Sequence, residues 1–241
     1  MRVPFYNIFI DVESESSVLE FCEYILKRDT SKSVGFLNAH CFNLTQKNLL
    51  YRESLSKFDL ILNDGVGISI AGKIRGVKFK ENLNGTDLIP KIIEKGYKLN
   101  KIFYLLGTKN HALDKAIENL NKKHPGIKIA GKHHGFINQT DNIKIINEIV
   151  INKVDIVVVG MGVPHQELWI QSNKDLLPNV QLFVAGGAII DFISGIVKRA
   201  PRIFRILRLE WLFRLIIEPK RMWRRYLIGN LLFFYNILKN R

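Results

Sequence analysis

Residues 154–169, VDIVVVGMGVPHQELW, constrain the fold more than any other stretch. Ile156, Val157, Val158 and Val159 follow one another without a polar residue. Side chains of a strand alternate between its faces, so a strand built from this run must be covered on both sides. The chain then turns through Gly160-Met161-Gly162, passes Pro164 and enters a helical run from Gln166. Strand, glycine turn and helix start form a seat for an anionic ligand, because glycines admit close approach and helix N-terminal N–H groups point at the charge. The same pattern also serves as a plain βα connection, and a glycine pair alone does not separate the two.

The rest of the chain repeats the unit. Apolar runs at 33–38, 59–62, 101–106, 127–130 and 181–185 alternate with helical periods at 16–27, 41–55, 66–75, 86–96, 112–123 and 142–152. Residues 3–12 read as an edge strand or a hairpin arm, and 133–135 as a turn. This alternation predicts an α/β fold, a three-layer, mostly parallel, Rossmann-like sheet. Such sheets bind ligands at the carboxyl ends of their strands, near a switch in strand order. The expected strand ends carry Asn38, Asn63-Asp64-Gly65, Gly107-Thr108, Gly160-Met161-Gly162 and Gly186-Gly187, which would converge on one crevice. Neither a GxGxxG fingerprint nor a Walker A loop occurs, which disfavours a dehydrogenase or a P-loop nucleotidase.

Charge divides the chain in two. Of a net +14, +10 lies in residues 196–241, where twelve Lys and Arg face two Glu. Those residues interleave cations with Ile, Leu, Phe and Trp; Arg202, Arg205 and Arg208 recur every third position, and Trp211, Leu212, Leu215 and Ile216 form a stripe. We therefore read residues 1–195 as a Rossmann-like core and 196–241 as a basic amphipathic helical appendage. A basic amphipathic helix pair suits an anionic membrane surface, where each cation contributes on the order of 1 kcal/mol. A nucleic acid is the competing partner, disfavoured by the bulky apolar residues and the lack of any recognition motif. A third use, arginines folded over a phosphorylated substrate, is compatible with the first. The apolar face also leaves room for a homo-oligomer. The longest apolar run, 226–238, is too short to span a bilayer, and the N-terminus does not read as a signal peptide. Cys22 and Cys41 are only two and lack CxxC spacing, so no disulfide framework or metal site is expected, and the expected location is cytoplasmic, peripherally associated with the inner face of the cell membrane.

Individual residues admit two readings each. Asp64 at a strand end is a general base or a turn residue. Asn38 is a substrate contact or a turn residue. Thr86 reads as a helix cap, with Asp87 favourable behind it. Glu167 near a helix start is electrostatically favoured in any role. Trp169 reads as core. Phe136 is a stacking platform or packing, and Asp191 accepts from a ribose or base, or caps. His133 and His134 are adjacent, which points their rings apart, so a metal role is disfavoured.

Taken together, NDGVGISIAGKIRG, NGTDLI, GVPHQELW, GGAIIDFISGIVKRAP and LEWLFRLIIEPKRMWRRY resemble the WecG/TagA/CpsF glycosyltransferases. The resemblance spans about residues 34–226. It implies transfer of a sugar, of the N-acetylmannosamine type or a related hexose, from a UDP-sugar to a polyprenyl-diphosphate-linked sugar in teichoic acid, capsule or exopolysaccharide synthesis. The implied reaction inverts configuration and needs no metal or cofactor. Asp64 is the implied base, with Gln166 beside the donor site and Asn38 opposite. The donor cradle would comprise Gly107, Phe136, Gly160, Gly162, Gln166, Glu167, Gly186, Gly187 and Asp191. Arg214, Arg221 and Arg224, with Arg225 as alternative to the last, would hold diphosphate. Phe36 stands where many members have Thr, and His165 where Lys is common. The alternative function is a non-catalytic nucleotide-binding protein docked on the membrane by its tail.

Overall fold

In the computed structural model, which describes residues 1–239, the featured run is strand β7, Ile156–Gly160, near the middle of an eight-stranded sheet. Asn240 and Arg241, which end the expected appendage, lie outside the described residues. The other strands are β1 (Arg2–Phe5), β2 (Ile8–Asp11), β3 (Lys32–Leu37), β4 (Leu60–Asn63), β5 (Ile102–Gly107), β6 (Lys128–His133) and β8 (Leu182–Ala185). Their order is β1-β2-β4-β3-β8-β7-β5-β6, and every pairing except the β1–β2 hairpin is parallel. Residues 3–12, expected as an edge strand or one hairpin arm, instead span both arms of a hairpin turned at Tyr6 with φ 55°.

Both faces of the centre are dry, as the β-branched run requires. Val157, Val159, Phe183 and Ala185 join one hydrophobic cluster, while Ile156, Val158, Leu182 and Val184 join the other. Each Val, Ile, Leu or Phe among them contributes roughly 1.5–3 kcal/mol by leaving water. Helices cover both clusters, giving the Rossmann-like three-layer arrangement.

The strand order switches between β3 and β8. From β3 the chain moves outward to β4, then crosses to the other half of the sheet at β5. The carboxyl ends of β3, β4, β5, β7 and β8 open on the crevice at that switch.

Local chemistry corrects several expected boundaries. The single helix over 41–55 is two, Ala39–Lys47 and Leu49–Ser56. Asn48 sits between them in an extended conformation, and its Oδ1 accepts from Tyr51 N at 2.9 Å. Thr86 is not the cap of its helix, Gly85–Lys98; Asn84 is, accepting from Asp87 N at 2.9 Å. Strand β6 runs on through His133, pairing with β5 as far as Leu106, so the turn starts later than expected.

The tail does not stand apart from the core. Its last helix, Gly229–Lys239, lies on Ala39–Lys47. Phe233 and Ile237 are buried, and Phe233 meets Phe42 edge-on at 5.4 Å. Asn43 Nδ2 donates to Gly229 O at 2.7 Å, and Asn236 Nδ2 donates to Asn43 Oδ1 at 3.1 Å. Nearer its start, Arg199 binds Asp87 and lies 3.8 Å from Glu210. Between these anchors, helices Arg202–Ile206, Glu210–Ile217 and Pro219–Trp223 arch over the crevice. Among the described residues, no helix is long and apolar enough to cross a membrane.

Candidate active site

Two chambers share the crevice. One, of about 340 Å³, is floored by the glycine turns after β7 and β8. The other, of about 380 Å³, is enclosed by the tail. They meet at Asn38, Asp64, Thr86, Phe192, Arg214 and Arg225, which line both.

Asp64 reaches this junction because β4 ends one residue earlier and the chain turns sharply. Its N–H donates to Leu37 O at 2.8 Å, continuing the pairing of β4 with β3. Gly65 has φ 90°, a conformation open to glycine, and starts helix Val66–Ile74. The Gly65 N–H is held by Asn82 Oδ1 at 2.7 Å. Asn38 takes the equivalent position after β3. Its Oδ1 caps helix Ala39–Lys47 through Cys41 N at 3.0 Å, while its Nδ2 points to Asp64 Oδ2 at 3.4 Å. Enclosure by protein pushes the Asp64 carboxyl up to about 6; the Asn38 amide opposes this, Glu210 adds to it, and Arg225 and Arg214 oppose it. A carboxylate so tuned is ionised at neutral pH yet basic enough to accept a proton from a hydroxyl.

Arg214 and Arg225 overhang the junction, and the Nε of each is buried without a hydrogen-bond partner among the described residues. Buried donors without partners mark a place where an anion would complete the bonding. Arg214 also lies 5.6 Å over the Phe192 ring. Arg221 lines the glycine-floored chamber and pairs with Glu218 at 2.9 Å. Arg224, expected to join them, is exposed and outside both chambers, 5.2 Å over the Trp223 ring. The adjacent Arg225 takes the inward position, because successive residues of the π-helical turn Arg224–Ile228 point in different directions.

In the glycine-floored chamber the structure gathers Phe136, Gly160, Gly162, Gly186, Gly187 and Asp191. Phe136 is 72% exposed at the rim, a flat face available for stacking. Asp191 accepts from the Thr108 hydroxyl. Gln166 lines the chamber, but its amide is engaged at both ends: Oε1 accepts from Gly187 N at 2.8 Å and Nε2 donates to Glu167 Oε1 at 2.8 Å. Its geometry braces the glycine turn.

Two expected lining residues do not line. Glu167 is fully buried behind Gln166, and burial raises its carboxyl to about 7 against the pull of the Gln166 amide. Gly107 is a packing position: at φ 143°, an added Cβ would fall 2.3 Å from the Gly160 carbonyl carbon. Its lack of a side chain lets β5 and β7 end side by side.

The tail-enclosed chamber was largely invisible in the sequence. On the tail side it carries Lys198, Arg205, Arg208 and Trp211; on the core side His40, Asn82 and Asn84. Burial, aided by Arg225, holds the His40 imidazole down to about 4, so it is neutral at pH 7. The one available signal for His40 was its place two residues after Asn38. Asn82 lies between motifs and gave none. Among the described residues, no group of three or more His, Cys, Asp or Glu side chains is arranged to hold a metal ion.

A protein-family model, Glycosyl transferase WecG/TagA/CpsF family, matches residues 3–241. Curated relatives carry the name N-acetylglucosaminyldiphosphoundecaprenol N-acetyl-beta-D-mannosaminyltransferase. The protein from Bacillus spizizenii (strain ATCC 23059 / NRRL B-14472 / W23) is 32% identical over 219 residues, covering 91% of this chain and 84% of the relative. That from Bacillus subtilis (strain 168) is 30% identical over 230 residues, covering 94% and 85%. That from Staphylococcus aureus (strain NCTC 8325 / PS 47) is 30% identical over 202 residues, covering 84% and 78%. With a family match over nearly its whole length and relatives of this identity, the chain belongs to the WecG/TagA/CpsF family of glycosyltransferases.

Proposed function

We propose that this glycosyltransferase moves an N-acetylmannosamine-type sugar, or a related hexose, from a UDP-sugar to an undecaprenyl-diphosphate-linked sugar, with inversion and without a metal. The placement of Asp64 at the junction of the two chambers carries this reading. The glycine-floored chamber suits the nucleotide: Phe136 for the base, Asp191 for the ribose, and the turns after β7 and β8 for the diphosphate. The tail-enclosed chamber suits an acceptor that is both anionic and apolar, since it combines Lys198, Arg205 and Arg208 with Trp211, Phe233 and Phe234.

In this mechanism Asp64 takes the proton of the acceptor hydroxyl. The oxygen forms its bond to the anomeric carbon from the face opposite UDP. The bond from that carbon to the UDP oxygen breaks, and its electron pair leaves on the β-phosphate. Arg214 and Arg225 stabilise the charge that develops there, the largest electrostatic demand of the reaction. Asn38 orients the Asp64 carboxylate. A single displacement of this kind inverts the anomeric centre.

The tail also suits a membrane surface, because it exposes Ile203, Ile206, Ile216, Leu227 and Leu231 beside its arginines. This reading places the protein on the inner face of the cell membrane. Two measurements test the proposal. UDP release is followed across UDP-sugars with a short-chain polyprenyl-diphosphate N-acetylglucosamine acceptor, where acceptor-dependent release with UDP-N-acetylmannosamine is expected. The absence of sugar transfer with every donor would overturn the substrate assignment. Co-sedimentation with phosphatidylglycerol vesicles should exceed that with phosphatidylcholine, and equal recovery would refute the membrane role.

A further inference from the structure

His40 and Asn82 line the tail-enclosed chamber but not the glycine-floored one. Both are held close to Asp64 by the elements that position it. His40 is the second residue of helix Ala39–Lys47, whose cap, Asn38, is the amide partner of Asp64. Asn82 binds the peptide directly after Asp64 through its Oδ1, which orients the side chain and leaves Nδ2 without a hydrogen bond among the described residues. The His40 ring likewise makes no hydrogen bond among the described residues. Asn84 and Asp87 on the same wall are engaged with one another: Asn84 Nδ2 donates to Asp87 at 2.7 Å, and Asp87 also holds Arg199.

The chamber is therefore divided by chemistry. Cations stand on the tail side, and neutral, directional hydrogen-bonding groups stand beside the carboxylate. A diphosphate requires the first; a sugar ring requires the second. We propose that His40 and Asn82 form the subsite for the acceptor's sugar, a diphosphate-linked hexopyranoside, binding its hydroxyl or acetamido groups so that the attacking hydroxyl faces Asp64. This rests on the function proposed above. A neutral imidazole offers one donor and one acceptor, which matches a hydroxyl group. Neither residue touches the nucleotide chamber, so acceptor and donor recognition separate at Asp64.

The test uses the full chain with UDP-N-acetylmannosamine and short-chain polyprenyl-diphosphate N-acetylglucosamine, plus acceptor analogues deoxygenated at single ring positions. His40→Ala and Asn82→Ala should each raise the acceptor KM by roughly 10- to 100-fold, the effect of losing one or two hydrogen bonds. Donor KM and calorimetric UDP affinity should stay within about threefold, since these sites share no partner with the nucleotide. Retained UDP affinity also verifies folding, and His40→Phe, which keeps a ring of similar size without its nitrogens, should show the same rise in acceptor KM where His40→Ala does not fold. The decisive comparison is with the deoxygenated acceptors. Wild type should lose about 10- to 100-fold in kcat/KM on the analogue lacking the contacted group, whereas the matching variant should not distinguish it from the parent. An unchanged acceptor KM, an equal rise in donor KM, or discrimination as strong in the variants as in wild type would overturn the subsite. If wild type transfers no sugar, the functional reading fails separately. Calorimetric binding of the acceptor to UDP-loaded protein then decides the subsite, and equal affinity in wild type and variants overturns it.

Discussion

Replacing Asp64 by Asn should stabilise the protein while removing most of its turnover. The folded carboxyl, at about 6, lies roughly two units above its ordinary value of 3.8. At 1.36 kcal/mol per unit, ionising it in place costs about 3 kcal/mol relative to the unfolded chain. Asp64 retains some access to the crevice, which screens the charge, so about 1–2 kcal/mol is the expected gain for Asp64→Asn at pH 7.5. In a chain of this size that corresponds to about 2–8 °C in Tm. The sign follows from the raised folded value. Below pH 4 the carboxyl is protonated in both states and the variant has no advantage. Between about pH 4 and 6 the unfolded chain releases its proton first, so wild type loses stability relative to the variant. Above pH 7 the difference is constant. Urea unfolding of both proteins from pH 4.5 to 8 measures this directly. A variant that is less stable at pH 7.5, or one whose advantage is the same at pH 4.5, would refute the burial argument. Removal of the base should lower kcat by about 10²- to 10⁴-fold. The wild-type rate should rise with pH through about 6, as the carboxyl ionises.

Two further perturbations separate neighbouring roles. Arg225→Ala, at the junction, should lower kcat/KM by about 10- to 100-fold, and Arg224→Ala by less than about threefold, in steady-state assays; equal losses would contradict the assignment of inward and outward positions. Phe233→Ala should cost about 3–5 kcal/mol in urea unfolding, because the ring is buried against Phe42. A loss below about 1 kcal/mol would mean that the last helix does not belong to the core.

Much of the fold was legible because its determinants are local. A run of four β-branched residues requires a doubly covered strand, and repeated βα alternation leaves few arrangements besides a parallel sheet. The same logic placed Asp64, Asn38, Gly160 and Gly186 at strand ends, and parallel strands bring those ends to one edge. The residues misjudged were those whose surroundings come from elsewhere in the chain. Thr86 reads as a good cap until Asn84 takes the position. Glu167 reads as a site residue until the helix rotates it behind Gln166. Gly107 reads as part of a cradle until β7 arrives 2.3 Å from where its Cβ would lie.

By itself, then, the sequence determined the layers, the strand ends, the concentration of charge in the last 46 residues and the motifs of the family. All of these depend on neighbours within a few positions. Tertiary structure alone decided where the tail lies. Phe233 and Asn236 dock on Phe42 and Asn43, some 190 residues earlier, and this brings Arg225 rather than Arg224 over Asp64. Periodicity along the chain carries no record of that pairing, because an apolar helical stripe has the same spacing whether it meets its own core, a second copy or a lipid surface. The tail's contact with the core converts a strand-end carboxylate into the junction of two chambers, and its burial, which no local pattern encodes, raises its proton affinity.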